Sequence, residues 1–201
     1  MGRLVVSQFV SLDGVMEGPG GDNGYVHGPW TMPYWCDELG VFKAGELAAA
    51  SALLVGRITY EGFAAAWPQR SGDPFSDKMN TMAKFVVSNT MADADATWAN
   101  TTVLRGDMAT AVGALRERHD AEILVAGSAT LVHGLLQADL VDDLRLAVYP
   151  VTLGVGKRLY PDDTRLDFDL VDQVQAPTGV MLLTYRRGEA RPMPTDFPFD
   201  D

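Results

Sequence analysis

Residues Glu122 to Leu136 limit what this chain can fold into more than any other stretch. Ile123-Leu124-Val125-Ala126 is a short, fully apolar run, as expected of a strand buried on both faces of a sheet. Gly127 follows, then Ser128, whose hydroxyl can cap a helix start. Leu131, Val132, Leu135 and Leu136 recur at helical spacing. Such a strand, turning through glycine into a helix, aims free backbone N–H groups and the positive end of the helix dipole at one spot, which suits an anion. Taken alone, the stretch also fits an ordinary strand–helix connection. Two comparable turns upstream, Leu53 to Tyr60 and Phe85 to Thr90, favour the anion site.

A length of 201 residues suits one large domain with a sizeable core. No apolar run is long enough to span a bilayer, and the N-terminus reads directly as a strand, without a signal-type segment. Cys36 is the only cysteine, which excludes disulfide frameworks and cysteine-rich zinc sites; no metal is expected. A cytoplasmic location is the simplest fit. The net charge of −11 argues against nucleic acid as a partner. A phosphorylated small molecule stays open, because a few arginines and backbone amides suffice to hold one.

Arg3 to Val10 reads as the first strand and Ser11-Leu12-Asp13-Gly14 as its closing turn. Asp13 fits two roles, a turn residue before glycine or a carboxylate delivered by a strand end into a cleft. Glu17 to Gly24, rich in Gly and Asp, reads as a mobile surface loop. His27, Trp30, Tyr34 and Trp35 then cluster, either as a satellite core or as walls for a planar ligand. A helix is expected over Pro33 to Ala50, a second buried strand over Ala52 to Val55, and helices after Arg57 and over Phe75 to Met82. Arg57 is a solvated residue at a helix start or the partner of an anion held there. Lys84 to Val87 forms a third strand, ending in Ser88-Asn89-Thr90, hydroxyls that either cap a turn or hold a ribose phosphate. Thr101 to Leu104 is a further strand, and Asp107 caps the helix after it. Asp142 to Val148 reads as a late strand, and Val180 to Tyr185 as a final one, antiparallel at an edge. Residues 1–188 are expected to form the domain, and 189–201 a Pro-rich acidic tail, loosely held.

Alternating strands and helices give an α/β class with a mostly parallel sheet, helices on both faces and antiparallel strands near the C-terminus. Ligands of such sheets bind at the carboxyl ends of strands. Asp13, Arg57, Ser88 and Gly127 all fall at such ends.

These residues carry a resemblance. Val10-Ser11-Leu12-Asp13-Gly14, His27-Gly28-Pro29-Trp30, Leu54 to Glu61, Val86-Val87-Ser88, Leu124 to Ser128, and Asp143 to Leu146 through Val151 to Gly154 occur in an order and spacing similar to the dihydrofolate reductase-like superfamily. Within it, the chain resembles stand-alone relatives of the riboflavin-biosynthesis reductase domain, from Leu4 to Arg187. The resemblance implies the three-layer reductase fold and NADPH as hydride donor. It implies that Gly56, Arg57 and Thr59 meet the cofactor phosphates and that Ser88 lies near the adenosine ribose. It also implies that Gly127, Ser128 and Ala129 form the turn against the pyrophosphate and nicotinamide side.

Asp13 matches an acidic residue at the substrate end and is the candidate catalytic group, with His27 and Trp30 as substrate-side residues. Beside a nicotinamide, under a closed loop, its pKa is expected to rise. Ala126 stands where many relatives have the first of two glycines, which implies a shifted turn or weaker cofactor binding. Gly154-Val155-Gly156 is shorter than the relatives' glycine run, and the Cys/His set of an N-terminal zinc deaminase is missing. Both weaken a direct riboflavin assignment. Dihydrofolate reductase carries its carboxylate on the first long helix, where Asp37 and Glu38 are the nearest acids here. The expected function is an NADPH-dependent reductase of a small pterin-like, ribosyl-pyrimidine or carbonyl substrate; the alternative is a regulatory protein that binds NADP(H) without turnover. A homodimer is expected, with the Tyr149–Gly156 segment at or near the interface.

Overall fold

The computed structural model describes residues 1–21 and 24–192. Its strands are β1 (Leu4–Ser11), β2 (Ala50–Gly56), β3 (Ala83–Val87), β4 (Thr101–Leu104), β5 (Glu122–Val125), β6 (Asp143–Tyr149), β7 (Phe168–Gln175) and β8 (Met181–Arg187). They form one eight-stranded sheet in the order β4-β3-β2-β5-β1-β6-β8-β7. From β4 to β6 every neighbour runs parallel; β8 runs antiparallel to both β6 and β7. The helices are α1 (Asp37–Ala49), α2 (Arg57–Ala66), α3 (Pro74–Thr81), α4 (Met108–Glu117) and α5 (Ala129–Gln137).

Strand alternation sorts the core into two layers. Leu4, Val6 and Leu54 point to one face and pack with Val112 and Leu115 of α4 and Leu131, Val132 and Leu135 of α5. Val5, Leu53 and Val55 point to the other and pack with Leu47 of α1, Tyr60 of α2 and Met79 of α3. Right-handed crossovers explain the division. Connections that step from β1 towards β3 put their helices on one face, and those that step back through β5 to β6 put theirs on the other. This is the α/β class expected from the sequence, with helices on both faces.

The differences are local. The helix expected over Pro33–Ala50 starts later, because Pro33 sits in a 3-10 turn (Met32–Tyr34) and Trp35 is extended. It also stops at Ala49, since Ala50 already belongs to β2. The final strand is not the edge: β8 lies between β6 and β7. The missed β7 has nearly every residue exposed, so no burial pattern marks it. Of the segment expected at a subunit interface, Tyr149 is enclosed by its own chain while Val155 is exposed; Leu170, Val171 and Val174 leave apolar side chains exposed on β7. In the loop after β1, Trp30 Nε1 donates to the Glu17 carbonyl at 2.8 Å and Thr31 Oγ1 to the Pro19 carbonyl at 2.6 Å. Of the tail, Arg191 pairs with Asp169, and residues 193–201 lie outside the described residues. Among the described residues no helix is long and apolar enough to cross a membrane.

Candidate active site

The parallel strands deliver two turns to one place. β2 ends at Gly56 and passes directly into α2, and β5 passes through Ala126-Gly127-Ser128 into α5. The two are joined by a hydrogen bond from the Gly56 N–H to the Gly127 carbonyl at 2.9 Å. A Cβ on Gly56 would stand 2.4 Å from Ser128 Oγ, and one on Gly127 3.0 Å from Thr59 Oγ1. The chain thus brings Gly56, Thr59, Gly127 and Ser128 together as expected.

Neither α2 nor α5 is capped by a side chain, and neither has an acid in its first turn. Their first amides are therefore free of local side-chain acceptors, and the helix dipoles favour an anion. The Ser128 hydroxyl, expected as a cap, makes no cap bond. Positive φ (115°) falls on Gly127, and the Gly127–Ser128 peptide is cis. Ala126 is therefore not asked to adopt a glycine conformation, and its presence does not strain the turn. Ala129 is buried in the core, so only its backbone can face a ligand.

Arg57 opens α2 at the rim, half exposed, and its Nη1 donates to Glu61 one turn on at 2.8 Å. Ser88 lies one strand further out, after β3. Its hydroxyl accepts from the amides of Thr90 (3.2 Å) and Met91 (3.0 Å), so it closes a turn after β3. Beside it is Arg105, which follows β4; it donates to the Ser88 carbonyl at 3.5 Å and to Asp93 at 2.6 Å. Sequence reading missed Arg105, although its place after a recognised strand was a usable signal.

Asp13 departs from expectation. Ser11 Oγ donates to it at 2.6 Å, and the amides of Leu153 and Gly154 at 3.1 and 2.8 Å. Those bonds, the Ser11 hydroxyl foremost, then Gly154 and Leu153, lower its pKa from 3.8 to about 2. The rise expected from burial is corrected: three donors outweigh a small desolvation. Asp13 is a carboxylate at neutral pH and ties the β1 turn to the loop after β6. Because its folded pKa lies below the ordinary value, its stabilisation is present above about pH 4 and is lost as pH falls towards 2. Asp13→Asn is therefore expected to melt a few degrees below wild type at pH 6, and this gap should narrow on acidification to pH 2.5. A gap that stays constant with pH would show that the carboxylate charge contributes nothing.

His27 is exposed and meets Tyr25 edge-on, with ring centroids 5.8 Å apart. Trp30 is buried and edge-packed on Tyr149 at 5.2 Å, so it belongs to the core rather than to an open wall. Asp37 and Glu38 are exposed. The buried acid of α1 is Glu46, which accepts from Ser7 Oγ at 2.9 and 2.8 Å and pairs with Lys43 at 2.6 Å. Sequence reading missed it because Lys43 and Glu46, three apart, look like a surface ion pair. Among the described residues no group of three His, Cys, Asp or Glu side chains is placed to hold a metal.

An α/β domain with two uncapped helix starts joined at the carboxyl ends of its strands has a cleft that suits an anion. The chain belongs to the RibD C-terminal domain family, which matches residues 3–182, as the resemblance implied. Membership places it among reductase domains of the dihydrofolate reductase-like fold. It is 27% identical over 194 residues to the uncharacterized protein YyaP of Bacillus subtilis (strain 168), covering 91% of this chain and 94% of YyaP. The fold matches RibD of Acinetobacter baumannii (TM-score 0.61, 17% identity), over 94% of this chain and 58% of that one. It also matches dihydrofolate reductase of Enterococcus faecalis complexed with NADP(H) and RAB-propyl (TM-score 0.59, 17% identity), over 93% and 97% of the two chains.

Proposed function

We propose that this chain is an NADPH-dependent reductase that delivers a hydride to an electrophilic C=N or C=O carbon of a small pterin-like, ribosyl-pyrimidine or carbonyl compound. The observation that carries the reading is the junction of α2 and α5, two uncapped, acid-free helix starts joined through Gly56 and Gly127. The residues present fit the cofactor, since this cradle is one that Cβ atoms would fill. The amides that open α2 and α5 would hold the diphosphate, with Thr59 and Ser128 between them and Arg57 free to exchange Glu61 for a phosphate. Ser88 and Arg105 are the groups that would tell a ribose phosphate from a hydroxyl. NADP(H) bound to a dihydrofolate reductase of the same fold supports the choice of cofactor.

When bound, NADPH supplies the hydride. Asp13 is ionised and has no proton to give at neutral pH, so the proton that completes the reduction comes from water. The bonds that tie Asp13 to its own turn and to the loop after β6 give it a structural role, which favours a second reading, an NADP(H)-binding regulatory protein without turnover. Following NADPH absorbance with a panel of pterin, pyrimidine and carbonyl compounds separates the two.

The test of the cofactor is calorimetry. A charge-assisted bond to phosphate is worth about 1.5–3 kcal/mol. Arg105→Ala should therefore weaken NADPH about tenfold or more and leave NADH nearly unchanged, while Arg57→Ala should weaken both. Equal NADPH affinities in wild type and both variants would remove the arginines from the site.

A further inference from the structure

The last turn of α5 and the segment that leads into β7 enclose a pocket of about 360 Å³. That volume lies within the range of small-molecule sites, about 300–1,000 Å³. The floor is Leu136, buried near the end of α5, and the walls are Leu166 and Phe168, which pack against the same core as α4 and α5. Ala129 opens α5 at the cofactor cradle, and Leu136 lies roughly 10 Å further along the helix at about 1.5 Å per residue. The pocket is therefore separate from the cleft and does not rest on the reductase reading.

Three polar side chains line it, and all three can donate: the Arg165 guanidinium, the Thr164 hydroxyl and the Tyr160 phenol. Arg165 gives one N–H to the Arg191 carbonyl at 2.6 Å, and its ion pair with Asp167 is long at 3.5 Å. A charge-assisted bond closes to about 2.8 Å, so the guanidinium keeps donors for a better-placed acceptor. The Thr164 hydroxyl makes a long bond, 3.4 Å, to the Asp162 carbonyl. Tyr160 exposes half of its surface, yet desolvation, with Tyr185 contributing, raises the pKa of its phenol. The hydroxyl therefore faces the recess and keeps its proton at neutral pH.

We propose that this pocket binds a small aromatic carboxylate, its flat body against Leu136, Leu166 and Phe168 and its head on Arg165, Thr164 and Tyr160. Apolar walls select an apolar body, and the rings of Tyr160 and Phe168 suit a flat one. Donors grouped around a guanidinium select a head with two acceptor oxygens and the opposite charge, which an arginine fork matches in geometry. Asp162 and Asp163 belong to the same segment but do not line the pocket, so the head meets donors and not acids.

The probe is 2-naphthoate, titrated by calorimetry into the full chain, with neutral 2-naphthylmethanol and cationic 2-naphthylmethylamine as comparisons. Naphthoate is expected to bind one to one, the alcohol about tenfold or more weakly, and the amine more weakly still. Arg165→Gln should lower naphthoate affinity to that of the alcohol and leave the alcohol unchanged. Tyr160→Ala, which removes a wall, should weaken both. The two side chains are exposed, so both variants should melt near the wild-type temperature. Absence of saturable naphthoate binding to wild type overturns the proposal. Equal naphthoate affinities in wild type and Arg165→Gln overturn it too, as does tighter binding of the amine. Repeating the wild-type titration with NADPH present separates pocket from cleft: unchanged affinity supports the pocket, and competition overturns it. Failure of NADPH to bind in its own titration would overturn the reductase reading alone.

Discussion

Gly127→Val is expected to weaken NADPH binding at least about a hundredfold while leaving a folded protein. Gly127 has φ of 115°, a region that side-chain-bearing residues rarely adopt, at a cost of about 1–3 kcal/mol. The new Cβ would also stand 3.0 Å from Thr59 Oγ1, and valine adds two methyl groups beyond it. The turn relieves this by moving, and its carbonyl then loses the Gly56 N–H that joins the two helix starts. Anion binding depends on both sets of amides converging, so affinity falls more than stability does.

Gly56→Ala provides the contrast. Gly56 has an ordinary φ of −81°, and its Cβ would meet Ser128 Oγ at 2.4 Å. That hydroxyl makes no capping bond and can rotate away. A loss of about tenfold is expected, largely recovered in the double variant Gly56→Ala/Ser128→Gly. Calorimetric titration with NADPH ranks the three variants. Wild-type affinity in Gly127→Val would take the α2–α5 junction out of the cofactor site.

Lys84→Met carries the largest expected effect on stability. Lys84 is wholly buried in β3. Its Nζ donates to the carbonyls of Asn80 at 3.0 Å, Met82 at 2.8 Å and Ala99 at 3.0 Å, and lies 4.3 Å from the centre of the Trp98 ring. The carbonyls belong to the end of α3 and to the loop before β4, so one ammonium fastens two connections to the sheet. Burial lowers its pKa to about 8, which leaves it mainly charged at neutral pH.

Methionine fills similar space but donates nothing, so three carbonyls lose a donor. Each unmet buried acceptor costs about 1–3 kcal/mol, and relaxation makes the sum less than additive. A loss of about 3 kcal/mol or more is expected, which lowers Tm by roughly 6–12 °C for a chain of this size. NADPH affinity should not change, because Lys84 lies at the opposite end of β3 from Ser88. A Tm within a degree or two of wild type would mean that the three contacts contribute little.

The contrast between Lys84 and Arg105 shows where sequence reading reaches and where it stops. Both are basic residues at the ends of recognised strands. One is enclosed by three carbonyls and an indole, and the other is open at the cleft rim. Their places differ, Lys84 near the amino end of β3 and Arg105 past the carboxyl end of β4, but nothing in the flanking residues shows what encloses Lys84. Glu46 is a similar case: its spacing from Lys43 suits a solvated helix face, yet the helix turns both towards Ser7 in the sheet. β7 was illegible for the converse reason. It is held by backbone bonds to β8 and buries almost no side chain, so no hydrophobic period announces it.

By itself the sequence determined what depends on local periodicity and on residues with special backbone chemistry. The apolar runs of β2 and β5 require burial on both faces, the helical stripes between the strands require layers on either side, and glycine at 56 and 127 suits a close approach. Those features specify the α/β class and the place of the cleft. The tertiary structure alone decided the state of each polar side chain, because that depends on partners far along the chain. Asp13 is fastened by amides 140 and 141 residues away, which add to its bond from Ser11, and Trp30 is core because Tyr149 lies beneath it. The Tyr149 hydroxyl is likewise unpartnered among the described residues because rings from β1 and from the segment after it close around it.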